Sequence, residues 1–349
     1  MILLSFWLLL ATADAPPDFS QLVVAADPSH CVIYQDPKGR VELPDLLENA
    51  LGRGCYSIQI DDGVWEASRP VLIEQNRRPL RINGGSGRQA LIRNAGGPAL
   101  LVRDASAVEL EDLSVEGGVE LDRTEGVAIR RVSFAGKGIY LRGRRCNQPS
   151  ECKSYNRRLL VHGCLFTDCD RGILAERLEN SVIRDNHFTG RPNDDACNVP
   201  VGVELNGTSE DIDRRFEYGH SKANVIVENT FDQEFSTGIR MRYSMGNTVR
   251  DNQFLQSFRA IELLQGANYN QIHSSYIGYL SQVPVTASCP SPCGVYIGPG
   301  AYGNVFVNNL FEQSLELQFL ERHRNRVAVC NESGGRNVFR SDFSASHGD

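Results

Sequence analysis

The sequence has no apolar run long enough to cross a bilayer. About 20 consecutive apolar residues are needed, and the longest stretch, Ile2 to Leu10, is far shorter; no membrane span is expected. It also lacks a surplus of positive charge, with 36 Lys and Arg against 43 Asp and Glu and a net charge of -7, so the whole molecule is no general binder of polyanions. Basic stretches interleaved with aromatics are missing, which excludes nucleic acid as an expected partner. No His cluster accompanies the cysteines, which argues against zinc despite some suggestive Cys spacings. No linker-like break divides the chain, so one elongated, monomeric domain fits its 349 residues better than several packed ones.

What the chain does contain is a pattern written twice between Lys222 and Phe254. Asn224-Val-Ile-Val-Glu-Asn229-Thr-Phe231 and Gly238-Ile-Arg-Met are followed by Asn247-Thr-Val-Arg-Asp-Asn252-Gln-Phe254 and Ala260-Ile-Glu-Leu. The two Phe are 23 residues apart. A fixed period with short alternating apolar runs between Gly and Asn marks a solenoid of stacked coils built from strands rather than helices. Phe134, Phe166, Phe188, Phe231, Phe254, Ile277 and Phe311 then share one position of the coil, and Asn186, Asn229, Asn252, Ser275 and Asn309 another. Stacking buries what a single coil cannot, and the aligned Asn would pass hydrogen bonds from coil to coil.

At the start, Ile2 to Leu10 precedes Ala11-Thr-Ala13-Asp-Ala15, whose small residues at alternate places suit removal of an export signal over 1–15, although no Lys or Arg precedes the run. Residues 16–40 read as an extension and 41–349 as the solenoid domain. The ten cysteines all lie after the signal, and an even number in a secreted or periplasmic protein points to disulfides. Cys146 with Cys152 and Cys289 with Cys293 would each staple an inserted loop. Asn206-Gly-Thr and Asn331-Glu-Ser are glycosylation sequons in a eukaryotic host. Ten Lys or Arg between Arg123 and Arg158 suit either a patch for an acidic glycan or an ordinary solvated surface.

Pro44 to Leu51 has helical spacing ended by Gly52 and Gly54; Tyr56-Ser-Ile-Gln-Ile60 alternates as a strand and Gly63-Val-Trp65 reads as a turn. This helix, glycine turn, strand and Gly-x-aromatic unit together resemble the N-terminal cap of right-handed parallel β-helix proteins of the pectate-lyase-like group. Leu80-Arg-Ile-Asn-Gly-Gly and Val108-Glu-Leu-Glu-Asp-Leu-Ser-Val115 resemble first coils. The resemblance covers roughly 41–340 and implies an all-β, single-domain right-handed parallel β-helix with a capping helix and inserted loops. It is specific for fold and carries little about function.

In the Gly-Ile-x-Leu unit Ile and Leu point inward, so x and the residue after Leu point outward. The outward column becomes Glu120, Tyr140, Leu174, Glu204, Arg240, Glu262, Tyr296 and Glu316; beside it run Asp122, Arg142, Glu176, Asn206, Arg242, Leu264, Gly298 and Gln318. Glu204, Arg240 and Glu262 then form a ladder flanked by Glu176, Asn206 and Arg242. Such a ladder keeps an exposed sheet soluble through cross-strand pairs, or it holds a glycan. In the second case the partner is an acidic polysaccharide, with its uronate on Arg240 or Arg242 and its hydroxyls, or a cation, on Glu176, Glu204, Asn206 and Glu262.

Removing the proton next to a uronate carboxylate needs a base and a positive group for the charge that develops. Arg240 or Arg242 would supply the charge, His220 or Lys222 the base and Tyr296 the acid; elimination makes a lyase, reprotonation from the other side a C5-epimerase. Ser221-Lys222-Ala-Asn224, Asn229-Thr-Phe231 and Arg240-Met-Arg242-Tyr243 are similar to the chondroitinase B and alginate lyase group, in which a Lys before the coil Asn and a later Arg carry catalysis. Arg242 falls near the family Arg, His220 stands where the family has its Lys, and Arg242-Tyr-Ser replaces Arg-His-Gly. No cofactor motif is present, and calcium is the one cation this resemblance would bring. Hydrolysis by Glu204 and Glu262, about 9.6 Å apart across two coils and near the limit for inverting enzymes, and a non-catalytic surface or glycan-binding role are the competing classes.

Overall fold

The computed structural model describes residues 22–25, 29–38, 40–85, 90–143, 156–190, 200–207, 220–232, 235–255, 257–278, 293–312, 327–340 and 343–345. Short strands rise in three long parallel sheets of 13, 11 and 10 strands, joined at one corner by a fourth sheet of four. Each coil visits the first, second and third sheets in turn, so beyond the opening antiparallel pair Val23–Ala25 with His30–Ile33, which joins the first sheet at Ser57–Ile60, each strand lies beside its equivalent one coil away. The result is a parallel β-helix, as the 23-residue repeat requires. The fourth sheet, made of pairs such as Ser221–Lys222 and Ser244–Met245, occupies the corner after the third sheet and was not read from the sequence.

Corners are single residues in the left-handed region. Asp185, Glu228, Asp251, Ser274 and Asn308 all have φ between 51° and 57° and carry the chain from the first sheet to the second. The next residue points inward, which is why Asn recurs there: its side chain satisfies backbone groups that the turn leaves open. The backbone N–H and Nδ2 of Asn229 both donate to Oδ1 of Asn252 at 3.0 Å, and Asn186 does the same to Asn229. A second ladder, Asn224, Asn247, Asn270, Asn304 and Asn337, runs up the corner before the first sheet with the same contacts.

The aligned Phe stack as expected. Phe134, Phe166, Phe188, Phe231 and Phe254 have ring centroids 4.5–4.9 Å apart with planes within 7°, a spacing set by the distance between strands. These rings dictate the glycines of the third sheet. A Cβ on Gly172, Gly202 or Gly238 would come within 2.5–2.6 Å of the ring of Phe188, Phe231 or Phe254. Where the next coil carries Ile277 in place of Phe, the corresponding residue is Ala260.

The helix forms at Leu43–Gly52, with proline in its first turn and Leu43, Leu46, Leu47 and Ala50 buried against Val71–Glu74 and His30–Ile33. Three sequence expectations are corrected here. Gly63-Val-Trp65 is not a turn but the strand Gly63–Glu66, which opens the second sheet; a buried Trp65 gives it an inward face. The 16–40 stretch contributes strands Val23–Ala25 and His30–Ile33 to the first sheet, tied to the body by the unforeseen disulfide Cys31–Cys55. The partner of Tyr296 in the last coil is Cys330, not Glu316; the Leu-Glu-Leu around Glu316 imitates the repeat, but the strand that pairs is Val327–Asn331. The expected signal at 1–15, Cys146, Cys152, Cys289 and Gln318 lie outside the described residues. Cys293, expected to bond Cys289, is buried with a free thiol.

Candidate functional site on the third sheet

The outward columns of the third sheet align as the repeat demands. Leu174, Glu204, Arg240, Glu262 and Tyr296 are partners on successive strands, and so are Glu176, Asn206 and Arg242. A third column was missed: Arg171, Thr237 and Arg259, which are in register with one another through Val201. Arg171 and Arg259 reach the carboxylates of the outer face, Arg171 at Glu204 and Arg259 at Glu262. The signal was legible, since Arg171-Gly172-Ile173 and Arg259-Ala260-Ile261 place a cation just before the small residue.

These columns lock together. Arg171 Nε lies 2.9 Å from Glu204 Oε2, and Asn206 Nδ2 donates to Glu204 Oε1 at 2.9 Å. Glu262, only 5 % exposed, has Oε2 2.5 Å from Arg240 Nε and its other oxygen on Arg259. Arg259 also lies over the Tyr296 ring, 4.1 Å from its centroid. Burial first, and then the hydrogen bond to Glu332 at 2.9 Å, push the Tyr296 hydroxyl up to about 12. Arg242 differs from its neighbours: it is exposed, and no carboxylate among the described residues pairs with it. Lower on the same sheet, a cavity of about 350 Å³ is lined by Arg103, Asp122, Tyr140, Arg142, Gly143 and Glu176. There Tyr140 donates to Glu176 at 3.3 Å and the Gly143 N–H at 3.0 Å, and burial followed by Glu176 raises the Tyr140 hydroxyl.

The family known as the right-handed β-helix region matches residues 81–311. The chain belongs to that family. Similar solved structures include an alginate lyase from Paenibacillus sp. str. FPU-7 (12 % identity, 86 % of this chain and 96 % of that one, TM-score 0.50). Others are the DFA-IIIase of Arthrobacter chlorophenolicus A6 without its lid (12 %, 95 % and 89 %, 0.61) and the tailspike protein of Acinetobacter baumannii phage AM24 (12 %, 90 % and 55 %, 0.60). At this identity they share its fold. No curated protein matches the sequence.

Within this right-handed β-helix the two candidate bases separate. Lys222 sits in the corner sheet, 3.7 Å from Glu179 Oε1, and not on the face that carries Arg240 and Arg242. His220 is buried, and because Ser221 pairs with Ser244, it meets the neighbouring coil at Tyr243, next to Arg242. Tyr296 is three strands from the coil that holds His220, about 14 Å away. Within the basic cluster from Arg123 onward several residues are in local pairs, Arg130 with Glu109, Arg131 with Asp112, Arg142 with Glu120, and Arg157 and Arg158 with Glu125, while Arg144, Arg145 and Lys153 lie outside the described residues. Among the described residues no group of His, Cys, Asp and Glu is arranged to hold a metal, and no helix is long and apolar enough to cross a membrane.

Proposed function

We propose that this protein acts outside the cytoplasm on an acidic, uronate-containing polysaccharide, as a lyase or C5-epimerase. The observation that carries the reading is Arg242: Glu204 and Glu262 already have Arg171, Arg240 and Arg259, and Arg242 is an exposed cation on the same sheet that pairs with no carboxylate among the described residues. A guanidinium in that setting binds a carboxylate in bidentate fashion and stabilises charge that develops on it. His220, beside Tyr243, is the base nearest that carboxylate, and the Tyr243 hydroxyl takes the acid role that the distance denies to Tyr296. Lys222 is engaged by Glu179 and supports the corner. Glu204, Asn206 and Glu262 shape the floor, and Glu176 faces the neighbouring cavity. The Cys31–Cys55 disulfide supports export, since such bonds persist in oxidising compartments.

Incubation of the purified protein with alginate, pectate, chondroitin and heparan, followed by ultraviolet absorbance for an unsaturated product and NMR for an inverted C5, tests the reading. Activity on one of them that Arg242→Ala abolishes supports it; neither binding nor turnover of any sinks it. Hydrolysis by Glu204 and Glu262 is disfavoured, because guanidinium groups engage both carboxylates and neither is placed to give a proton to a glycosidic oxygen. The cavity between Asp122 and Glu176 supports a second reading, hydrolysis there, since two strand spacings of about 9.6 Å are near the inverting separation. New reducing ends without an absorbing product would favour it.

A further inference from the structure

Two cavities open on the lower part of the third sheet, and both are lined by Tyr140. One is the cavity between Asp122 and Glu176; the other, of about 280 Å³, has a largely apolar lining that includes Pro98, Leu174 and Tyr140. Glycines hollow its wall, and a Cβ on Gly136 would meet nothing within 4 Å. The Tyr140 ring is fixed, because its hydroxyl donates to Glu176 at 3.3 Å and the Arg142 guanidinium lies 5.8 Å from its centroid. Leu174 is its partner one coil up. The outward column that is all charge from Glu204 to Glu262 is therefore apolar here. The charges at the rim balance: Lys137 and Asp170 are exposed, one of each sign. Glu120 and Arg171 also line the cavity, but Arg142 engages the first at 2.8 Å and Glu204 the second at 2.9 Å.

We propose that this cleft is a subsite for an uncharged sugar, one pyranose unit of the polysaccharide whose acidic unit is held at Arg242. The inference rests on the function proposed above and narrows its substrate to a polymer that mixes neutral with acidic units. A pyranose ring has an apolar C–H face and a rim of hydroxyls. The face packs on Tyr140 and Leu174, and a ring already held in place costs little ordering on binding. The hydroxyls meet Lys137 as donor and Asp170 as acceptor. A uronate gains nothing here, because Lys137 would attract its charge and Asp170 repel it. The volume of about 280 Å³ suits one ring and not an oligomer. From Tyr140 to Arg240, the strand that also carries Arg242, is three strand spacings, about 14 Å. One saccharide chain running along the sheet therefore covers both subsites.

The test is saturation-transfer NMR on the full chain, with the methyl glycosides of glucose, galactose and mannose as neutral probes and methyl glucuronide as the acidic one. At least one neutral probe should receive saturation at its ring C–H protons. Its dissociation constant, read from the concentration dependence of the signal, should rise about fivefold in Tyr140→Ala. Gly136→Asn should raise it at least as much, since Asn tolerates the positive φ of 75° at this position and its side chain would fill the cleft. Arg242→Ala should leave the neutral probe unaffected and weaken the uronide. No saturation of any neutral probe, or saturation that Gly136→Asn leaves unchanged, overturns the subsite, and Gly136→Asn decides even where Tyr140→Ala does not fold. The two readings fail separately. Neutral binding at the cleft without any action on an acidic polysaccharide removes the lyase or epimerase and keeps the subsite; action that depends on Arg242, with no neutral binding, does the reverse.

Discussion

Arg240 holds Glu262 across one strand spacing, Nε to Oε2 at 2.5 Å, while Arg259 of the same strand as Glu262 takes the other oxygen. All three groups are nearly excluded from water. Removing the shared carboxylate leaves two buried guanidinium groups facing each other. Glu262→Gln is expected to cost about 3 kcal/mol in urea unfolding. Arg130→Ala, in the half-exposed pair with Glu109, should cost under about 1 kcal/mol. Equal effects would mean that the Glu262 cluster is an ordinary surface pair.

Arg242→Ala should leave stability within about 0.5 kcal/mol of the parent, because the side chain is exposed and pairs with no carboxylate among the described residues. It should nevertheless weaken retention on an immobilised acidic polysaccharide about tenfold, with a shallower dependence on salt. Unchanged retention would remove the basis for the proposed function.

The Asn ladder has a weak rung. At Ser275 the Asn252 N–H reaches only a hydroxyl, at 3.4 Å, where every other step shown has an amide oxygen at about 3.0 Å. Ser275→Asn should restore the rung and raise stability by about 1 kcal/mol. Asn252→Ala, which strips an acceptor from two donors of Asn229, should lower it by about 2 kcal/mol. A Ser275→Asn protein less stable than the parent would show that the coil has no room for the amide.

Gly238→Ala should destabilise by about 2 kcal/mol, since its methyl would meet the Phe254 ring at 2.6 Å and the Ala260 carbonyl at 2.8 Å. Adding Phe254→Ile, which copies the natural Ile277 next to Ala260, should cost less than the sum of the two changes. Strict additivity in the double-mutant cycle would break the link between ring and glycine.

Tyr296 should titrate at about 12, above the ordinary tyrosine value of about 10. Its folded-state value is the higher one, so the stability it contributes is whole below about pH 10 and is lost as the pH rises toward 12. Tyrosinate absorbance in the parent and in Tyr296→Phe checks this. A normal titration would mean that the hydroxyl is neither buried nor held by Glu332 as described.

The repeat made the fold legible because its period is physical. The Phe and Asn columns, the register of Glu204, Arg240 and Glu262, and the helix at Leu43–Gly52 all follow from which residues must face inward. Pairing chemistry was less legible. Arg171 and Arg259 stand just before the repeat unit and were passed over, although they reach Glu204 and Glu262. Lys222 sits beside the repeat in sequence yet lies around the corner in space. Glu316 fitted the repeat as well as Cys330 did, because a single Leu-x-Leu carries no information about which copy a strand will choose.

One consequence of the stacking concerns measurement. Every outward position recurs at a single strand spacing, about 4.8 Å, so the gaps between charged groups on this wall come only in whole steps, as on a ruler with fixed divisions. Lengthening a loop cannot alter those divisions; only adding or deleting an entire turn can. Whatever polymer lies along the third sheet is therefore judged by whether its own charge spacing is commensurate with the protein backbone.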